Sequence, residues 1–191
     1  MATAADALAT EALRVNARYV EEVVVGWNLC PWAARAWQKG EVERRVFADA
    51  SPDVAKVAAA AAELAALPAC AVALLIFPHA TASVSTWEAF AERLRRTGGA
   101  FLVAPFHPLY RHAAPLPSDA AQLVSLIRRT PDPTLQLVRA SLVDVLERGG
   151  RDVSAEIARD NFTAVSARTP AALSALLDDI RRDRDEVYRR R

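Results

Sequence analysis

The residues best suited to chemistry in this 191-residue sequence surround Cys30, in the stretch Asn28-Leu29-Cys30-Pro31-Trp32. Pro31 suits the first position of a helix, because the N–H that proline lacks would have no helical partner there. Cys30 would then be the N-cap residue of a short helix over 31–38, and the helix dipole would favour its thiolate, which attacks electrophiles and ligates metals or haem iron. The alternative is a capping cysteine that is buried among neighbouring tryptophans, and the sequence leaves both open.

A second group of reactive side chains lies in Phe106-His107-Pro108-Leu109-Tyr110, directly after a predicted strand. Pro108 restricts His107 to extended conformations, so that the imidazole is held stiffly. It could serve as a general base or as a ligand, and Tyr110 adds a hydroxyl group beside it. The alternative is a histidine that only hydrogen-bonds a loop carbonyl.

Two arginines flank the proline-rich turn Thr130-Pro131-Asp132-Pro133. Arg129 precedes it, and Arg139 lies in a predicted helix that starts at Pro133, with Asp132 as its cap. An arginine beside apolar residues either pairs with an internal acid or faces an anionic ligand. The candidate catalytic residues are therefore Cys30, His107, Tyr110, Arg129 and Arg139, and no metal site is predicted.

The elements that would position these side chains alternate between strands and helices. Apolar runs predict three strands, at 42–48, 70–77 and 100–106. Caps and periodicity predict the helices between them, over 52–67 and 86–97, the second with a capping box formed by Ser85 and Glu88. This β-α-β-α-β order predicts an α/β fold with a small three-stranded, mostly parallel sheet packed by helices. Ligands bind such sheets beyond the carboxyl ends of the strands, where His107 lies.

Helices are predicted on both sides of this unit. An amphipathic helix over 3–26 precedes it, with apolar residues at three- and four-residue spacing. The C-terminal part is predicted to be helical, over 119–128, from Pro133 to the Gly149-Gly150 pair, and over 153–167 and 170–188. The mixed charges of 181–186 indicate a solvated helix face. We expect residues 1–191 to form a single globular domain.

Composition excludes several classes of protein. The chain is 52% hydrophobic and 25% charged, with a formal net charge of +1, which is ordinary for a globular protein and gives no field that would attract nucleic acid or a membrane surface. Its two cysteines make no disulfide framework. The N-terminus does not resemble a signal peptide, and no apolar run approaches the length of a membrane span. We therefore expect a cytoplasmic protein.

The three motifs together resemble DUF1415, a bacterial family of unknown function. The family pattern has an N-L-C-P-F-A-like segment, a strand ending in F-H-P-x-Y, and an R-S-P-Y-P-x-L-H-L-L-R-E-like segment. Here the first corresponds to Asn28-Leu29-Cys30-Pro31-Trp32-Ala33 and the second to Phe106–Tyr110. The third corresponds to the segment from Arg129 to Ala140. The resemblance covers residues 10–165 approximately and implies that the three motifs form one site.

The sequence departs from the family pattern in the third motif. The tyrosine between the two prolines is replaced by Asp132, the histidine of the following segment by Gln136, and the glutamate after the arginine by Ala140. Cys30, His107, Tyr110, Arg129 and Arg139 match the pattern. This combination implies a divergent member with an altered polar site and a changed substrate.

Three functional hypotheses follow from these residues. The first is a small-molecule enzyme with a Cys/His/Arg site at the carboxyl edge of the sheet, where Arg129 and Arg139 would orient an anionic ligand. The second is a haem-binding protein or haem-thiolate enzyme with Cys30 or His107 as axial ligand. The third is a non-catalytic ligand-binding or assembly module whose first helix packs against a second copy in a homo-oligomer.

Overall fold

The computed structural model describes residues 3–30, 33–110, 125–147 and 153–190. Its four strands are β1 (Val42–Val46), β2 (Val72–Ile76), β3 (Phe101–Phe106) and β4 (Thr134–Arg139). Its helices are α1 (Ala4–Tyr19), which continues as a π-helical segment (Val20–Val25), α2 (Ala33–Gln38), α3 (Val54–Ala65), α4 (Val84–Arg96), α5 (Ala140–Glu147), α6 (Val153–Ser166) and α7 (Pro170–Arg189). The predicted helix over 119–128 lies mostly outside the described residues.

The sheet confirms the three predicted strands but corrects their arrangement. It has four strands in the order β1-β2-β4-β3, with β1 parallel to β2 and β4 antiparallel to both of its neighbours. The prediction of three mostly parallel strands is therefore wrong, because β4 lies between β2 and β3 and makes the sheet mostly antiparallel. The strands β1, β2 and β3 nevertheless run in one direction, so they share a carboxyl edge.

The fourth strand occupies a segment that was predicted to be helical. Leu135 and Leu137 alternate with Gln136, and both leucines are fully buried on one face of the sheet. Two-residue alternation is the pattern of a strand, but a short leucine-rich run also fits a helix when only local spacing is considered. The helix begins instead at Ala140, directly after the last residue of β4.

The two faces of the sheet carry separate apolar cores. Ala73, Leu75, Leu135 and Leu137 point towards α3 and α4, where they pack against residues such as Trp87. Leu74 points to the opposite face and packs against the core of α1, the π-helical segment and α7. This alternation of burial along β2 gives the α/β protein helical layers on both faces of its sheet.

The first helix does not run uniformly over the predicted range of 3–26. From Val20 to Val25 it is a π-helix, in which the Gly26 N–H donates to the Glu21 carbonyl at 2.9 Å. A Cβ atom on Gly26 would lie 2.4 Å from the Glu22 carbonyl oxygen, so the wider turn requires a glycine at this position. The chain then passes through Asn28, whose φ of 52° is left-handed, before it reaches Cys30.

Caps define the ends of the other helices. Asp53 caps α3 by accepting a hydrogen bond from the Ala55 N–H, as expected for a helix start at this point. The cap of α4 is Ser83, which accepts from the Thr86 N–H, so the predicted capping box of Ser85 and Glu88 is wrong because the helix starts earlier. Within the described parts of the chain, no helix is sufficiently long and apolar to cross a bilayer.

Candidate functional site

A cleft of about 100 Å³ lies at the carboxyl edge of the sheet. Phe106 and Ile76, at the ends of β3 and β2, both align with Thr134, the first residue of β4. The segments that leave β3 and enter β4 therefore meet at this edge, and α7 closes the cleft from the side. Its lining residues are Pro108, Leu109, Arg129, Thr130, Pro131, Leu177, Asp178, Ile180 and Arg181.

Two arginines line this cleft: Arg129 lies in the segment before β4, which forms one wall, and Arg181 lies in α7, which forms the other. The Nε of Arg129 donates to the Tyr110 carbonyl at 3.3 Å, and its terminal nitrogens make no hydrogen bond to the described residues. Arg181 has no hydrogen bond or ion pair with any residue in the described part of the chain, although Asp178 lies on the same wall. Positive charge is thus concentrated beside five apolar side chains.

His107 supports the loop that forms one wall of the cleft. Its Nε2 is 3.0 Å from the Ala82 carbonyl oxygen, and its Nδ1 accepts from the Leu109 N–H at 3.1 Å. The pair of contacts fixes a neutral imidazole with the proton on Nε2. Burial lowers the pKa of His107. The hydrogen bond to the Ala82 carbonyl raises the pKa and the nearby positive charge of Arg181 lowers it, so the net shift is downwards. Both ring nitrogens are therefore engaged in holding the loop.

Tyr110 lies behind this loop and is buried. Its hydroxyl accepts a hydrogen bond from Nη1 of Arg128 at 2.9 Å, and the guanidinium of Arg128 also lies over the ring at 5.2 Å from its centroid. The His107 N–H donates to the Arg128 carbonyl at 3.1 Å. These contacts join the segment after β3 to the segment before β4, and they hold Arg129 at the cleft.

Asp132 forms a buried network with α7. Only 2% of Asp132 is exposed, and its carboxylate accepts from Nε of Arg184 and from the Tyr188 hydroxyl, each at 2.8 Å. Arg184 also donates to the Pro78 carbonyl at 2.8 Å. Burial raises the pKa of Asp132, whereas Arg184 and the Tyr188 hydroxyl favour the ionised carboxylate. The prediction that Asp132 caps a helix is wrong, because β4 and not a helix follows it.

Arg139 lies at the other end of β4. Its guanidinium donates to the carbonyls of Ala65, Leu67 and Cys70, at distances of 2.8 to 3.3 Å. It is five positions after Thr134 in β4, so roughly 17 Å of strand lies between Arg139 and the carboxyl edge. The carbonyls that accept these hydrogen bonds lie at the end of α3 and in the segment that follows it. None of the acceptors is an acidic side chain or a residue that lines the cleft.

Cys30 lies beyond the π-helical segment and is partly buried. Its carbonyl accepts from the Ala33 N–H at 3.0 Å, and α2 begins at Ala33, two residues later than predicted. Residues 31 and 32, on which the predicted helix start depends, lie outside the described residues. Its neighbour Leu29 belongs to the same apolar core as Leu177 of the cleft.

The structure therefore brings together three of the five predicted residues. His107, Tyr110 and Arg129 meet at the carboxyl edge, whereas Arg139 does not. The hydrogen bonds of the His107 ring go to Ala82 and Leu109, and not to Cys30. In the described residues, no group of three or more His, Cys, Asp or Glu side chains is arranged to hold a metal ion.

Sequence reasoning missed the residues that α7 contributes. Arg181 and Arg184 fall in the segment predicted to be a solvated face, yet Arg184 is bonded inside the protein. The sequence does contain a pattern that indicates the position of Arg184. Helical spacing places it on the same stripe as the apolar residues Leu173, Leu177 and Ile180. An arginine on such a stripe requires an internal acceptor or a ligand.

The fold and the cleft define an α/β protein with a mostly antiparallel sheet and a cationic cleft at the carboxyl edge of three co-directional strands. The chain belongs to the family described as a protein of unknown function, DUF1415, whose sequence model matches residues 11–174. No curated protein and no solved structure matches the chain. The wall of the cleft that carries Arg181 lies beyond the matched residues.

Proposed function

We propose that the protein binds a small carboxylate or phosphate anion in the cleft between Arg129 and Arg181. The observation that carries the proposal is that two arginines from different elements line one cleft, and that both keep hydrogen-bonding capacity not used by the described residues. Guanidinium groups pair with carboxylates and phosphates through two parallel hydrogen bonds. Such groups at a concave, partly apolar surface are the usual features of a ligand site.

The walls limit the kind of anion that would fit. A volume of about 100 Å³ suits a ligand of only a few non-hydrogen atoms, such as phosphate or a short carboxylic acid. Pro108, Leu109, Pro131, Leu177 and Ile180 supply an apolar surface for a short carbon chain. Asp178, on the same wall as Arg181, could accept a hydrogen bond from a hydroxyl or amino group of that ligand.

The enzymatic and haem hypotheses remain predictions. The enzyme hypothesis would need Cys30 to reach the cleft, and Cys30 is not among the residues that line it. A histidine base or axial ligand would need one of the His107 ring nitrogens to leave its present partner. Binding of the anion without turnover requires neither change, and it therefore ranks first.

The test is an NMR titration of the protein with lactate and with inorganic phosphate at constant ionic strength. We expect saturable shifts at residues 108–109, 129–131 and 177–181, with a dissociation constant on the order of 1 mM, as suits a small ligand held by a few polar contacts. Arg181→Gln should abolish them, because it removes the charge of one wall.

Arg182→Gln is the matched control. Arg182 is the next residue of α7, is 71% exposed and is paired with Asp179, so its replacement should leave the titration unchanged. Shifts that spread over the surface without saturation, or that persist in Arg181→Gln, would show that the cleft is not an anion site.

A further inference from the structure

The buried network behind the cleft links its two walls. Arg184 follows Arg181 by three residues, so the two side chains are neighbours on the surface of α7. Asp132 directly follows Pro131, which lines the opposite wall together with Thr130. The bond of 2.8 Å between Asp132 and Arg184 is therefore a direct connection between the wall that carries Arg181 and the wall that carries Arg129.

Each member of the network is held by more than one contact. The backbone carbonyl of Asp132 accepts from the hydroxyls of Thr130 and Thr134, at 2.6 and 2.9 Å. Arg184 contacts Asp132, the Pro78 carbonyl and Asp185, and its guanidinium lies 4.5 Å from the ring centroid of Tyr188. These directional contacts fix the rotation and the height of α7 at the carboxyl edge.

A buried ion pair is a weak source of stability, because desolvation of two charges offsets much of their attraction. Its effect on geometry is stronger, since a carboxylate with specific donors permits few alternative positions of the helix that supplies them. If only apolar side chains joined α7 to the turn that carries Asp132, the helix could slide along the turn. The hydrogen bonds of the network prevent this movement.

We propose that Asp132, Arg184 and Tyr188 are positioning residues that set the separation of Arg129 and Arg181, and thereby the affinity of the cleft for its anion. The proposal rests on the anion-binding function proposed above. It assigns a role to a segment of α7 beyond the residues that the family model matches, and to the buried aspartate between Pro131 and Pro133.

The test uses Tyr188→Phe, because removal of Asp132 would take away the whole carboxylate that joins the turn to Arg184 and Tyr188. The substitution removes one donor from the Asp132 carboxylate and keeps the aromatic ring beside Arg184. We expect faster amide hydrogen exchange at residues 177–184 of the ligand-free protein. We also expect affinity for lactate and phosphate to fall at least fivefold, on the order of the effect of one lost hydrogen bond.

Tyr19→Phe is the matched control, since it removes a buried hydroxyl of the core that α1 shares with α7. It should change neither the local exchange nor the affinity. An unchanged dissociation constant in Tyr188→Phe would overturn the proposal, and so would unchanged exchange at 177–184, whether or not an anion binds. A wild-type protein that binds neither probe would instead refute the proposed function.

Discussion

At the scale of single residues, His107 shows how a side chain of chemical interest supports the site. One ring nitrogen donates to a carbonyl 25 residues earlier in the chain, and the other accepts from an N–H two residues later. The second bond requires the neutral imidazole, because a protonated ring cannot accept from the Leu109 N–H. The loop that forms one wall of the cleft is therefore coupled to the protonation of His107.

This coupling predicts a pH dependence of stability. Burial lowers the pKa of His107 below the value of 6.5 expected in an unfolded chain, so protons bind more tightly to the unfolded state. The stability gained from neutral His107 is complete above about pH 6.5 and is lost as the pH falls towards the folded-state pKa. Urea denaturation should show a free energy of unfolding that declines between about pH 7.5 and about pH 5.

His107→Gln should remove part of that decline and lower stability at neutral pH by about 1–3 kcal/mol, because one buried backbone group loses its partner. The exposed His79 provides the control, and His79→Gln should keep the pH dependence of the wild type. Equal slopes in all three proteins would contradict the assignment of the decline to His107.

The candidate site residues could be identified from the sequence more readily than the roles that their side chains play. Pro108 indicated a stiffly held His107, and the alternative of a bond to a loop carbonyl describes its observed contact with Ala82. For Arg139, the partners are neither an acid nor a ligand but three backbone carbonyls, at the end of α3 and in the segment between α3 and β2. Contacts between residues about 70 positions apart depend on the tertiary fold, which local spacing does not contain.

At the scale of elements, the strands that lie between helices were predictable and β4 was not. The first three strands are bounded by helix caps and by proline or glycine, which mark their ends in the sequence. Strand β4 passes directly into α5 at Ala140 with no such residue between them. Its pairing with β2 and β3 joins residues far apart in the chain. No local sequence pattern therefore indicated that β4 lies between these two strands and runs antiparallel to both.

The π-helical segment gives a prediction that concerns one element. Gly26→Ala would place a methyl group 2.4 Å from the Glu22 carbonyl oxygen, where the backbone must move to admit it. We expect a loss of about 1–3 kcal/mol in the free energy of unfolding, typical of a steric clash in a packed segment. The loss should be measurable by urea denaturation.

Gly40→Asn is the control for this substitution. Gly40 also has a positive φ, of 67°, but nothing lies within 4 Å of the point that a Cβ atom would occupy, and asparagine tolerates this conformation. Its effect should be small. If Gly26→Ala were as stable as the wild type, the π-helical geometry would not depend on the glycine.

At the scale of the whole molecule, the two ends of the chain pack together. Helices α1 and α7 share one core on the sheet, to which α7 contributes Leu173, Leu177 and Ile180. Arg14 and Arg18 of α1 pair with Asp183 of α7, at 2.8 and 3.1 Å. These partly exposed pairs add little to stability by comparison with the buried apolar side chains. The last helix is therefore part of the core, although the family match ends at residue 174.

Deletion of residues 175–191 should consequently unfold the protein. It removes Leu177 and Ile180 from the core, at a cost of about 2–5 kcal/mol for each large apolar side chain, and it leaves Asp132 buried without Arg184 and Tyr188. The sum approaches the entire stability of a typical domain, about 5–15 kcal/mol. Circular dichroism should show loss of the cooperative thermal transition. Deletion of residues 190–191 alone should preserve that transition, because among the described residues the ion pair of Arg190 is with Glu186, on the exposed surface of α7. A cooperative transition in the longer deletion would show that residues 1–174 form a complete core without α7.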